Sequence, residues 1–183
     1  MTIDAPVYYF SRSDIFHRPN LPVDVFRVVH NEPMPMHRHE FSEMVIVTRG
    51  EALHVTDSHE QLIMMGDVFV ANPSCVHGYE NAKGLELTNI LFSEDLLVFS
   101  NGCSPDDISM KLETDQLVRI NEMVRELEES AALLGPGSTC LITSSFMKII
   151  GTLLQWHSVV QNRRTNPDYQ VAKAFTYIAF ACG

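Results

Sequence analysis

Residues 37–43 read "HRHEFSE", and the β-prone run "EMVIVT" starts at the last of them, Glu43. Two histidines one residue apart and a glutamate four residues further on can hold a metal ion, line a ligand pocket, or do neither. On an extended strand alternate side chains share a face, so His37, His39 and Glu43 all point to one side. Such a strand places Glu43 about 13 Å beyond His39, too far to share an ion. Convergence therefore requires a backbone bend near Phe41–Ser42. His77, in "NPSCVHGYEN", is a fourth candidate, at the loop or strand start after "DVFVA". Three imidazoles and one carboxylate suit Zn, Ni, Fe or Mn, with a position left open for water or an organic ligand. The remaining histidines, His17, His30, His54, His59 and His157, are isolated in sequence, and surface or hydrogen-bonded structural roles are expected for them.

Outward from this stretch, residues 6–92 produce one short β-prone run after another: "VYYF", "VDVFRVV", "EMVIVT", "ALHVT", "QLIMM", "DVFVA" and "LELTNILF". Their β-branched and aromatic content and regular spacing predict a β-sandwich or barrel. Turn residues separate them at Pro19-Asn20, Asn31 to Pro35, Gly50, Asp57-Ser58, Gly66-Asp67, Asn72-Pro73-Ser74 and Lys83-Gly84. The segment 1–20, with Tyr8, Tyr9, Phe10 and Phe16, is either a first strand or a flap over the barrel mouth.

After Phe92 the period changes. Leu117, Ile120, Val124, Leu127, Ala131 and Leu134 recur at helical spacing, with Arg119, Glu122, Arg125, Glu126 and Glu129 on the opposite face. Gly135-Pro136-Gly137 breaks that helix, and Ser138 or Thr139 is placed to cap a second one carrying Ile142, Phe146, Ile149, Ile150, Leu153, Trp156 and Val160. The two stripes are expected to pack on each other and on the barrel, the second being wide enough for a partner subunit to share. "QNRRTNPDY" at 161–169 reads as a linker. The apolar pattern of Val171, Phe175 and Ile178 then begins either a docking helix or a second domain.

The bulk properties limit the function classes. With 45% hydrophobic and 20% charged residues among 183, the chain can bury a core. The formal net charge is −10 and the 13 basic residues are scattered, so this chain by itself is not expected to bind nucleic acid. Cys75, Cys103, Cys140 and Cys182 form no C-x-x-C pair, which disfavours a zinc knuckle and fits a reducing cytoplasm. The start "MTIDAPVYYF" lacks the features of a signal peptide, and no segment approaches the ~18 apolar residues of a membrane span. A cytoplasmic protein with no membrane partner is expected.

Residues 31–50 resemble the first cupin motif through His37, His39, Glu43 and Gly50, with Asn31 at the place of its first glycine. Residues 66–81 resemble the second through Gly66, His77 and Asn81, with Asn72 replacing the usual proline and Ser74 the usual glycine. Taken whole, a cupin barrel followed by an amphipathic helical pair, a polar linker and "VAKAFTYI" is similar to AraC-family transcription regulators. "HRHEFSEMVIVTRGEALHV" and "LELTNILF" most resemble the rhamnose-responsive members.

The resemblance implies a mainly β fold, a cupin-type β-barrel (double-stranded β-helix) at about 6–92 followed by an antiparallel α-helical pair within about 106–160. Together these make a ligand-binding and dimerisation domain at 1–160. A linker at 161–168 and the start of a truncated helix-turn-helix domain at 169–183 follow. It implies that His37, His39, Glu43 and His77 bind a small-molecule effector, a sugar in many members, or one divalent transition metal. It further implies a homodimer formed through the C-terminal helices, and DNA contact only through the missing C-terminal half. A non-catalytic regulator is expected. The competing reading is a metal-dependent cupin enzyme, an isomerase or dioxygenase, using the same four ligands.

Overall fold

A computed structural model describes residues 6–97, 108–133 and 135–165. Their order is β1 (Tyr8–Phe10), α1 (Arg12–Ile15), β2 (Val23–His30), β3 (Met34–His39), β4 (Ser42–Thr56), β5 (Glu60–Met64), β6 (Asp67–Ala71) and β7 (His77–Phe92). A 3-10 turn (Glu94–Leu97), β8 (Ser109–Lys111), α2 (Thr114–Ala132) and α3 (Ser138–Thr165) follow. The spine is the long antiparallel pair β4 and β7, which runs from Ser42 opposite Phe92 to Thr56 opposite His77. Strand β2 pairs with β7, β5 and β6 pair with successive parts of β4, and β8 extends β6. Strand β3 pairs with the start of β7, and β1 runs parallel to β3. The eight strands form one sheet with the cupin-type fold, and its hydrogen-bond ladder does not close among the described residues.

Alternation along the spine sorts the side chains. Met44 and Ile46 of β4 and Ile90 and Phe92 of β7 face the helices. There they join Ile120, Val124 and Leu127 of α2 and Ile142, Phe146, Ile149 and Leu153 of α3 in one core. The rings of Phe92 and Phe146 meet at 4.8 Å between centroids. Val45 and Val47, with Leu85 and Leu87, point the other way and join Ala52, Ile63 and Tyr79 in a second core. The helical stripes thus pack on each other and on the sheet, as their periodicity predicts.

Gly50 and Lys83-Gly84 do not form hairpin turns as expected. They lie inside β4 and β7, where the register shifts three times between Val47 and Leu53. Gly50 (φ 72°) and Gly84 (φ 57°) are left-handed, and a Cβ on Gly50 would lie 2.1 Å from the Gly84 carbonyl oxygen. The expected turn residues therefore make facing bulges, and "EMVIVT" and "ALHVT" become one strand. The bulge also reverses parity: Glu43, Val45 and Val47 are odd, whereas Ala52 and His54, buried beyond it, are even.

The helical region starts later than expected, since Ser109–Lys111 is strand and α2 begins only at Thr114. The Gln116 side chain accepts the Glu113 backbone N–H at 3.0 Å at that start. Neither Ser138 nor Thr139 caps α3. Ser138 Oγ donates to the Gly135 carbonyl, and Leu141 N–H donates to Gly137, which takes the cap position. Helix α3 runs on through Thr165, into the first five residues read as linker, because no breaker precedes Pro167. Leu134, the remainder of that linker and residues 169–183 lie outside the described residues. Among the described residues no helix is long and apolar enough to cross a membrane.

Removing the aromatic ring that joins sheet to helices leaves a large void, so Phe146→Ala is expected to lower unfolding free energy by about 3–5 kcal/mol. Met65→Ala, at a position 52% exposed and outside the helices, should stay within about 0.5 kcal/mol of the parent. Urea titration of both variants checks the contrast.

Candidate ligand and metal site

The required bend is present: β3 ends at His39, Glu40 and Phe41 turn the chain, and β4 begins at Ser42. The N-terminal segment holds this turn. Phe10 pairs with His39 across β1 and β3, Glu40 N–H donates to the Phe10 carbonyl, and Arg12 N–H donates to Glu40 Oε2. Both sequence readings of 1–20 thus have a counterpart among the described residues, since Tyr8–Phe10 is a strand and Asp14 and Ile15 of α1 line the cavity beside the site.

With the chain bent, one donor atom each from His37, His39, Glu43 and His77 lies within 4.8 Å of all the others. All four residues are buried. His77 Nε2 is 3.1 Å from His39 Nε2, and the two nitrogens lie 3.6 and 3.4 Å from Glu43 Oε2. His77 comes from the start of β7, brought across by the pairing of β3 with β7, in which His37 and His77 are partners. The sequence candidates converge.

Outer contacts orient the donors. His37 Nδ1 donates to the Pro35 carbonyl at 2.8 Å, which leaves Nε2 with the free lone pair. Asn89 Nδ2 donates to Glu43 Oε1 at 2.6 Å. His39 stacks on Phe41, while its Nδ1 is buried without a protein partner. His54 Nε2 lies 3.3 Å from His77 Nδ1. Burial disfavours the imidazolium form, so His37 titrates below its ordinary range, His54 at about 4 and His77 at about 3. Burial alone would raise the Glu43 carboxyl. The hydrogen bond from His39 and the electrostatic interactions with His77, His39 and His37 outweigh it, and the net direction is down.

Imidazole nitrogens around a carboxylate are the donor set a divalent transition metal takes. Among the described residues the ion-pair partners of Glu43 are histidines alone, and an ion between the four donors would supply a fixed cation. The residues present therefore fit such an ion. Next to them lies a cavity of about 280 Å³ whose wall includes His39, Glu43, Asn89 and His30 among the rings of Phe26 and Phe41.

His54, Asn89 and His30 were not picked out from the sequence. Asn89 was within reach, because it shares the odd parity of Leu85, Leu87 and Leu91 in "LELTNILF". His54 was not, because its inward direction depends on the bulge at Gly50. His30 closes the wall only through the pairing of β2 with β7.

Fold and site together define a cupin-type barrel with a buried His/Glu cluster beside a small-molecule cavity. Residues 26–102 match the AraC-like ligand binding domain family. The chain is 29% identical over 152 residues to the HTH-type transcriptional activator RhaR of Cronobacter sakazakii, covering 78% of this chain and 53% of that protein. It is 42% identical over 72 residues to RhaR of Pectobacterium carotovorum, covering 39% and 25%. The chain thus spans about half the length of the first of these relatives and less of the second. Among solved structures, a Cupin 2 conserved barrel domain protein from Salinispora arenicola aligns with TM-score 0.37 and 21% identity over 42% of this chain and 67% of that one. On the family match and these relatives, the barrel is similar to the AraC-like ligand binding domain.

The histidine shifts have one sign. Below pH 6.5 the unfolded chain takes up protons that His54 and His77 refuse while folded, until about pH 4 and 3. Thermal midpoints measured in chelator are expected to fall steadily from pH 6.5 to 4.5 and to gain nothing from these two residues above pH 7. A midpoint that is flat, or that rises, on acidification would contradict the buried neutral histidines.

Proposed function

We propose that this chain is the effector-sensing and dimerising part of an AraC-type transcription regulator, and that its effector is a small hydroxyl-rich molecule, a monosaccharide, held in the cavity beside Glu43. The supporting observation is the cavity wall. Asn89 Oδ1 and His39 Nδ1 are both buried without protein partners, and both residues line the cavity. A hydroxyl can donate to the first and pair with the second in either sense. Phe26 and Phe41 offer flat apolar faces to the carbon side of a sugar ring, and Glu43 disfavours a carboxylate ligand. The cavity volume suits one sugar ring.

Occupancy controls a distant half only if the effector binds one state of the domain more tightly than another. The segment that senses occupancy, in this reading, is β1 with α1, because it touches both the cavity and the Glu40 turn. Dimerisation through the helices is supported by the exposed Val118 of α2 and Leu141 and Val159 of α3. DNA is contacted by a C-terminal half of the regulator, in keeping with the acidity of this part.

Calorimetric titration with a panel of aldopentoses and deoxyhexoses, L-rhamnose among them, tests the effector class. At least one neutral sugar is expected to bind, its aldonate is not, and Asn89→Ala should weaken binding by about tenfold or more. Binding of aldonates alone, or of no sugar, would overturn the hydroxyl-rich reading.

The four-donor cluster also supports a resident divalent ion, held by His37, His39, Glu43 and His77. When bound, it supplies a Lewis-acidic anchor for an effector oxygen. The same donor set is what an isomerase or dioxygenase of this fold would use, so the enzyme remains the second reading. Elemental analysis of fresh protein is expected to find near-stoichiometric Zn, Ni, Fe or Mn, abolished in His39→Ala. Metal-free protein that gains no thermal stability from any of these ions would count against the ion.

A further inference from the structure

We propose that His54 is a positioning residue that holds His77 in the tautomer able to bind a cation. Its Nε2 accepts a hydrogen bond from His77 Nδ1–H, so that the Nε2 lone pair of His77 faces His39 and Glu43. The inference rests on the metal reading of the cluster and names a residue outside it.

The two nitrogens of His77 face different partners. Nε2 looks toward His39 Nε2 and Glu43 Oε2, while Nδ1 lies 3.3 Å from His54 Nε2. The two rings stand almost perpendicular, at 86°, and His54 has few alternatives. It is 6% exposed, stacks on Phe69 at 4.5 Å and lies 5.4 Å from the Tyr79 ring. A buried imidazole facing another through one nitrogen must have one ring donate and the other accept. If His77 donates from Nδ1, its Nε2 is unprotonated toward the cluster. If it accepts, its proton sits at Nε2 and blocks the cation.

Two other members of the cluster show the same arrangement. His37 is fixed by the Pro35 carbonyl and Glu43 by Asn89, so a donor with its orienting partner is the pattern of this site. His54 reaches this place because the Gly50 bulge turns even-numbered residues of β4 inward.

The test reads the tautomer before any metal is added. In chelator-treated, 15N-labelled protein, long-range 15N–1H correlation should show His77 protonated on Nδ1. His54→Phe keeps a stacked ring but removes the acceptor, and is expected to lose this preference and bind Zn²⁺ about 10- to 100-fold more weakly. His54→Gln supplies a carbonyl acceptor and should stay within about threefold of the parent, with the Co²⁺ absorption spectrum of the parent restored. A His77 protonated on Nε2 in the parent overturns the proposal, as does a His54→Phe variant with unchanged tautomer and Zn²⁺ affinity. An Nδ1-protonated His77, lost in His54→Phe, in a protein that takes up no metal would support the His54 contact and reject the metal reading.

Discussion

A carboxylate buried inside a β-barrel sets the terms for everything around it. Glu43 sits near the start of the longest ladder in the sheet, and burial of its charge is unfavourable unless polar partners surround it. Those partners come from three other strand segments. His39 arrives across the Glu40–Phe41 turn, His77 from the start of β7, and Asn89 from its far end. Each is held by sheet hydrogen bonds, so the polar cluster inherits the rigidity of the β4–β7 spine. The same pairing that buries Met44, Ile46, Ile90 and Phe92 against the helices presents Glu43 and Asn89 to the interior.

This division of one sheet between two cores gives a physical route from ligand to helices. A molecule in the cavity touches residues whose strand neighbours pack directly on α2 and α3. Arg27 of β2 also grips Glu128 of α2 through two hydrogen bonds of 3.0 Å, although an exposed pair of this kind adds little stability. The N-terminal segment is tied to the Glu40 turn. In the proposed reading, an effector that favours one arrangement of that turn would act through these contacts on the elements they join.

The elements legible in the sequence were those whose signal is local. Period-two runs announced the strands and period-three-to-four stripes announced α2 and α3, because alternation and helical spacing follow from backbone geometry alone. Even there, a glycine between two apolar runs reads as a turn or as a bulge with equal ease. Gly50 and Gly84 became bulges because another strand was available to keep pairing across them. Strand β8 was missed since three residues carry no periodicity, and its pairing with Asp67–Phe69 is a property of the sheet. Ser138 has the chemistry of an N-cap, but its hydroxyl donates to the Gly135 carbonyl instead.

For the site, the sequence by itself singled out His37, His39, Glu43 and His77, which the fold brings within 4.8 Å of one another, and their spacing demanded a bend. The tertiary structure alone decided which further side chains stand behind them. Asn89, His30 and His54 lie 46, 13 and 11 residues from Glu43 along the chain, and they meet the cluster only through strand pairing and a bulge that reverses which residues face inward. Ligand identity is a matter of residue type, which sequence records directly. Orientation is a matter of register, which is set when two strands hydrogen-bond and one of them carries an extra residue.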